Sequence, residues 1–211
     1  LVSGRSHHSF VDTVMKETEG NPLFVIETVN LLLQTKELEK LDGFWCAKSD
    51  DRAGVPGTVR EVVLRRVERL SKPRRRLLEC ASVVGMSFDV DTLADILGHS
   101  RLEVIEALEE LETPHSLVRV EQDERFSFSH EAVLRAVYEG ISDIRRRELH
   151  RMMASRLDGK ASDLREISAL AYHLERAGES GKALPHDLAA GEGWLKCSGV
   201  FEAEPYFKRS L

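Results

Sequence analysis

The sequence predicts a mainly α-helical protein with one small β-hairpin, followed by antiparallel pairs of helices. Apolar residues recur at helical spacing through most of the 211 residues, whereas alternation with a period of two is confined to residues 117–128. Apolar residues make up 42% of the chain and charged residues 31%, a balance typical of helices that bury one face and expose the other. The sequence therefore predicts helical cores rather than an extended sheet.

The first part of the chain predicts two helices separated by a sharp turn. The pattern indicates a short helix over residues 10–19 that stops at Gly20. Asn21 is a good N-cap, and Pro22 at the first helical position loses no hydrogen bond, so a second helix begins there. This helix continues to about Leu38 with apolar residues nearly all round, which predicts burial on more than one side.

The middle of the chain predicts a linker helix and then a winged helix. Residues 42–51 are interpreted as a turn and a loop, and Thr58 is a good cap for the next helix. The apolar stripe of that helix consists of Val59, Val62, Val63, Val67 and Leu70. Residues 72–129 then predict three helices and a hairpin, with helices at 91–97 and 101–112, and this is the winged-helix order.

Helical periodicity continues from residue 129 to the end of the chain. Stripes at helical spacing in residues 134–141, 149–157 and 164–174 suggest the start of a helical repeat array. Pro205 falls inside the last predicted helix, residues 202–211, where an interior proline costs about 3 kcal/mol, and Pro185 raises the same question for the helix before it, residues 189–196. We therefore expect these two helices to start late or to be kinked.

Several functional classes lack their sequence signature. The chain contains no GxxxxGK[ST], GxSxG or HExxH segment and no cluster with zinc-ligand spacing, so we assign no catalytic or metal-binding residue. No apolar run approaches about 18 residues, so we expect no membrane partner. Cys46, Cys80 and Cys197 are interpreted as thiols in a reducing cytosol, which predicts a cytoplasmic protein. The chain starts at Leu1 and ends within a helical pattern, so we expect a fragment of a longer protein.

Charge argues against DNA binding through the predicted winged helix. The helix in the position of a DNA-reading helix, residues 101–112, carries five glutamates and one arginine. Duplex DNA presents one negative charge per about 1.7 Å of axis, so such a helix would be repelled. Binding through another face remains a minority hypothesis.

Basic residues cluster instead around one helix and the start of the next. The cluster consists of Arg60, Arg65, Arg66, Arg69, Lys72, Arg74, Arg75 and Arg76. One interpretation is a docking surface for a partner domain; the other is a solvated face whose cations pair with Glu61, Glu68 and nearby acids. Residues 145–147, three consecutive arginines, allow the same two interpretations.

Four segments in this order resemble the STAND ATPases, which are AAA+-related signal-transduction ATPases with numerous domains. Residues 18–27 resemble the family's Gly-x-Pro motif, and residues 54–63 resemble the segment that follows it in bacterial LuxR-type regulators and cyclase-associated ATPases. Residues 126–139 resemble the end of the family's winged helix, and residues 171–178 resemble the entry to its tetratricopeptide-like array.

The resemblance implies two nucleotide-contacting sites. The Gly-x-Pro segment of the family lies beside the base of the nucleotide, which implies this position for Gly20, Asn21 and Pro22, although a plain helix start accounts for the same residues. The family often carries Met-His-Asp at the end of its winged helix, where the histidine reaches the β-phosphate of ADP. This chain has Ser129-His130-Glu131. His130 is therefore a candidate phosphate contact, or a histidine that packs under the hairpin.

The resemblance implies three regions: a Gly-x-Pro element over residues 1–53, a linker helix and winged helix over 54–142, and the start of a tetratricopeptide-like array over 143–211. The implied function is the regulatory middle of a signalling ATPase. It couples the ADP or ATP state of an upstream P-loop domain, its partner in the same chain, to an inducer, a protein or small molecule, bound on the array. ADP or ATP would bind only to the full-length parent. The alternatives are a DNA-binding winged-helix regulator and a repeat scaffold that binds a protein.

Overall fold

The structure is a computed structural model, and its helical content confirms the predicted fold class. It describes residues 5–6, 8–18, 20, 22–34, 36–41, 44–47, 59–113, 117–122, 124–197 and 199–209. Helices account for 73% of these residues, and the strands form two small sheets. Among the described helices, none combines the length and apolar character that crossing a membrane requires.

The first part of the chain folds into two helices, a small sheet and a third helix. Its elements are β1 (Arg5–Ser6), α1 (His8–Thr18), α2 (Pro22–Gln34), β2 (Leu38–Leu41), β3 (Phe44–Ala47) and α3 (Val59–Arg69). The sheet has the order β1-β3-β2, with β2 antiparallel and β1 parallel to β3. This sheet is not predicted by the sequence, which indicates only one hairpin further along the chain.

The helix predicted to reach Leu38 ends earlier, because Lys36 takes a left-handed conformation with φ of 57°. Its N–H donates to the carbonyl of Leu33 at 3.1 Å, and the N–H of Glu37 donates to Leu32 at 3.0 Å. This pair of bonds is the Schellman closure that satisfies the last carbonyls of a helix. Glycine usually occupies the left-handed position, so a lysine there leaves no sequence signal for the stop.

Residues 72–128 have the element order of a winged helix. They form α4 (Lys72–Val84), β4 (Ser87–Asp89), α5 (Val90–Leu97), α6 (Arg101–Glu112), β5 (Val118–Val120) and β6 (Arg125–Phe128). The predicted helices and hairpin are confirmed, and β4 adds a third strand in the order β4-β6-β5. The rings of Phe88 and Phe128, both fully buried, meet edge to face at 5.7 Å between centroids in the core below this sheet.

The rest of the chain forms helices that pack in succession. They are α7 (Glu131–Gly140), α8 (Asp143–Leu157), α9 (Leu164–Ala177), α10 (Ser180–Lys196) and α11 (Val200–Arg209). Short connections make α8 to α11 antiparallel neighbours, each packed on the next. One continuous apolar core runs from Val63 on α3 through the winged helix to Ala183 on α10.

Neither proline delays its helix, contrary to the expectation of a late start. Pro185 and Pro205 each occupy the sixth position of α10 and α11. A proline there removes the bond to the carbonyl four residues back, which belongs to Gly181 or Phe201. Both of these residues are exposed, so water can satisfy the freed carbonyl.

The contact between α10 and α11 depends on the absence of a side chain at Gly191. A Cβ at this position would meet three ring atoms of Phe207 at 2.8 to 3.1 Å, closer than van der Waals contact allows. Gly181 lies in the same helix, and a Cβ there would meet nothing within 4 Å. The two glycines therefore form a matched pair for a test of packing.

We predict opposite effects of Gly191→Ala and Gly181→Ala on the free energy of unfolding. The first lowers it by about 1 to 2 kcal/mol, because overpacking displaces the Phe207 ring. The second raises it by up to about 1 kcal/mol, because alanine favours the helix. Urea denaturation followed by circular dichroism measures both, and an unchanged midpoint for Gly191→Ala would show that the ring moves freely.

Candidate functional site

The Gly-x-Pro segment forms the turn between α1 and α2. Gly20 has φ of 71°, a left-handed conformation that favours glycine, and its N–H donates to the carbonyl of Met15 at 3.1 Å. Pro22 is the first residue of α2 and is exposed, as the sequence predicts. Asn21 lies outside the described residues. The described part of this segment thus offers a bare backbone and a proline ring, with no ionisable side chain.

His130 is the N-cap of α7. Its backbone is extended, and its Nδ1 accepts a hydrogen bond from the N–H of Ala132 at 3.1 Å. Because Nδ1 is the acceptor, the proton of a neutral imidazole resides on Nε2, which is then a donor. The side chain is exposed rather than packed under the hairpin. His130 therefore combines an N–H donor with the N-terminus of a helix, two features that favour anions.

The two predicted sites belong to helices that share one neighbour. α3 packs against α2 on one side and against α7 on the other. Val62 of α3 lies in an apolar cluster with Phe24 and Leu31 of α2, whereas Val63 belongs to the main core. The structure therefore connects the helices that carry Pro22 and His130 through α3.

The basic cluster predicted from the sequence does not form one surface. Arg66 is fully buried, and burial lowers the pKa of its guanidinium to about 10. Arg75 donates to the carbonyls of Val67 and Glu68 at 3.3 and 2.6 Å, so it neutralises the C-terminal end of α3. The burial of Arg66 has a sequence signal, since it lies three residues after Val63 on the apolar stripe.

Arg74 connects the basic cluster to the acidic helix α6. Its Nε donates to Glu110 at 2.6 Å, and its Nη2 pairs with the other oxygen of the same carboxylate. Glu110 raises the pKa of Arg74 through this bond. Of the cations at the start of α4, Arg74 therefore faces an acid of the same molecule.

Two further glutamates of α6 have structural partners. Glu103 forms a capping box with Ser100, and these hydrogen bonds lower the pKa of its carboxyl. Glu112 accepts the N–H of Val120 at 3.0 Å and so connects α6 to the hairpin. Glu106 and Glu109 remain exposed, which leaves a negative outer face on this helix.

The three arginines at residues 145–147 also point towards different neighbours. Arg145 pairs with Glu79 of α4 at 2.8 Å, whereas Arg146 pairs with Asp143 and lies over the ring of Tyr138, 5.1 Å from its centroid. Arg147 is exposed. These contacts attach α8 to α4 through Arg145 and to α7 through Arg146.

A polar cleft of about 530 Å³ lies between α8 and α10 in the helical array. Its lining residues are Arg151, Ala154, Ser155, Asp158, Leu174, Glu179, Lys182, Pro185 and His186. Arg151 and Lys182 both pair with Glu179, at 2.8 and 2.7 Å. Since its charges already compensate each other, an ionic ligand must exchange for one of these pairs.

Among the described residues, His130 offers hydrogen-bonding chemistry to a ligand. In this part of the chain, no three His, Cys, Asp or Glu side chains are grouped so that they could hold a metal. The comparisons add no relative, because no family model, curated protein or solved structure matches the chain. The candidate site consists of His130 and the amides at the start of α7.

We predict that replacing His130 affects stability only through the cap. His130→Ala lowers the free energy of unfolding by about 1 kcal/mol, because the N–H of Ala132 loses its acceptor. His130→Asn keeps it within a few tenths of a kcal/mol, since asparagine is itself a good N-cap. Urea denaturation at pH 7.5 measures both; an equal loss in the two variants would contradict a role limited to capping.

Proposed function

We propose that this region is the regulatory middle of a STAND signalling ATPase. It couples the nucleotide state of an upstream P-loop domain to a sensor formed by the helical array. The observation that carries the proposal is the geometry of His130, an exposed N-cap. Its Nδ1 accepts the N–H of Ala132, so Nε2 of the neutral imidazole is a hydrogen-bond donor at a helix N-terminus. This arrangement suits the terminal phosphate of ADP.

The mechanism is a two-state switch. With ADP bound to the upstream domain, His130 contacts the β-phosphate and Gly20–Pro22 lie beside the base, so the winged helix and the α1–α2 element hold that domain closed. A ligand or protein on the array, together with ATP exchange, releases the winged helix and permits oligomerisation. The region itself carries out no phosphoryl transfer, which requires a P-loop lysine and a magnesium ligand.

The winged helix serves as a contact between domains in this proposal. Glu106 and Glu109 keep the outer face of α6 negative, which disfavours a polyanion. The contact face for the upstream domain comprises the exposed cations Arg69, Lys72 and Arg76, since Arg66, Arg74 and Arg75 have internal roles. We place the protein in the cytoplasm, in keeping with the three free thiols of Cys46, Cys80 and Cys197.

We predict that the parent protein carries a GxxxxGK[ST] segment upstream of residue 1. The phosphates in the proposed switch need the backbone amides and the lysine of such a loop. The upstream reading frame supplies the observation directly. A parent without this loop would contradict the proposal and favour the repeat scaffold. Binding to duplex DNA tighter than about 1 µM at physiological salt would instead favour the DNA-binding hypothesis.

We predict that His130→Ala and His130→Asn both accelerate ADP release from the parent protein, by about 10- to 100-fold. A hydrogen bond to a charged group contributes about 1.5 to 3 kcal/mol, and neither variant retains the imidazole donor. Stopped-flow release of a fluorescent ADP measures the rate. Wild-type release from His130→Asn, which keeps the helix cap, would refute the phosphate contact.

A further inference from the structure

Two histidines form a buried polar pair where α7, α8 and α9 meet. His150 of α8 is fully buried and His173 of α9 is 3% exposed. Their Nδ1 atoms lie 2.9 Å apart, and the hydroxyl of Tyr138, on α7, lies 2.9 Å from Nε2 of His150. The pair thus joins the last helix of the winged-helix region to the first two helices of the array.

The geometry requires that at least one of the two Nδ1 atoms lacks a proton. One Nδ1 donates and the other accepts, and Tyr138 completes the chain at Nε2 of His150 in either direction. One proton can be added to this hydrogen-bonded chain without breaking either of its two hydrogen bonds. A second would place N–H groups on both Nδ1 atoms, 2.9 Å apart, so the doubly protonated pair must separate.

The surroundings of the pair oppose any positive charge. Arg146 lies over the ring of Tyr138, and Arg176 lies over the ring of Tyr172, 5.4 Å from its centroid. Tyr172 in turn contacts both imidazole rings edge to face. The groups that face the pair from α7, α8 and α9 are therefore two phenols and two guanidinium groups.

Carboxylates on the elements that pack against α8 and α9 have other partners. Glu79 of α4 pairs with Arg145, and Asp95 of α5 pairs with Arg156 at 3.1 Å. Ahead of and within α10, Glu179 pairs with Arg151 and Lys182, and Asp187 pairs with Arg209. No carboxylate among the described residues contributes to the electrostatics of His150, where His173 and the two arginines act.

Burial therefore holds both imidazoles neutral. It lowers the pKa of His150 to about 3, with further contributions from His173, Arg176 and Arg146, and lowers the pKa of His173 to about 4. An exposed imidazole has a pKa near 6.5. Because the pKa values of the two buried histidines lie below that of an exposed imidazole, the open state binds more protons than the closed state. The contact between His150 and His173 is therefore strongest above about pH 6.5 and weakens as the pH falls towards 4.

We propose that the His150–His173 pair is an acid-sensitive latch that holds α9 to α11 on α7 and α8 and opens at mildly acidic pH. The buried residues of the winged helix include no histidine in the described part of the chain, so it lacks this source of acid sensitivity. The ion pairs of Glu179 beside the latch do not share this pH range. Lys182 and Arg151 lower the pKa of Glu179, so it stays ionised at pH 5.

Native-state hydrogen exchange of the 211-residue chain tests the latch. When the pH falls from 7.5 to 5.0, each histidine that becomes exposed raises the opening constant by about 30-fold. One or two exposed histidines should therefore raise the opening constant of the α9 amides by about 30- to 900-fold, after correction for intrinsic exchange. Amides of α6 should change far less. An opening constant of α9 that is independent of pH, or a rise that is equal in α6, would overturn the proposal.

Two substitutions separate the latch from general acid sensitivity. His173→Asn keeps a polar atom near the position of Nδ1 but cannot titrate, so the rise in the opening constant of α9 should fall to about 30-fold or less. His99→Asn, at an exposed histidine, should retain the full rise. If His173→Asn does not fold, NMR titration of the wild-type imidazoles decides: pKa values near 6.5 in the folded chain would overturn the latch.

Discussion

The structure depends on the burial of α3 on two sides. Val62 and Val63 are adjacent and both fully buried, although successive residues of a helix point about 100° apart. The two side chains have different neighbours: Val62 packs with Phe24 and Leu31 of α2, whereas Val63 belongs to the main core, which includes residues of α7. Since close-packed interiors do not deform continuously, this packing of α2, α3 and α7 relates the positions of Gly20 and Pro22 to that of His130.

Internal charge pairing decides how the surface can be interpreted. The acidic composition of α6 suggested only repulsion of DNA, and the arginines of α4 suggested an external acidic partner. The pairing of Arg74 with Glu110 accounts for part of both charge patterns, because the arginine of α4 finds its acid on α6 of the same molecule. A pair this exposed contributes little to stability, at most about 1 kcal/mol, and it connects α6 to α4. The remaining exposed charges, rather than the composition of each helix, define what another molecule would meet.

Local signals account for most of what the sequence predicts correctly. α6 begins where predicted, at a Ser100–Glu103 capping box that is encoded within four residues. Features that depend on distant partners were missed: β4 exists only through pairing of Phe88 with Phe126, and the histidine pair joins residues 23 positions apart. The dispersal of the basic cluster has the same cause. A charge run is continuous in sequence, whereas a helix turns each arginine towards a different neighbour.

Helix α7 contacts both polar sites of this region. His130 caps its N-terminus, and Tyr138 meets His150 eight residues later, which is about 12 Å along a helix. Val133, Ala136 and Val137 are buried between them and hold α7 in the core. In the proposed switch, an anion at His130 and a proton at the histidine pair therefore act near opposite ends of one helix. Were both to alter the packing of α7, thermodynamic linkage would make their coupling reciprocal.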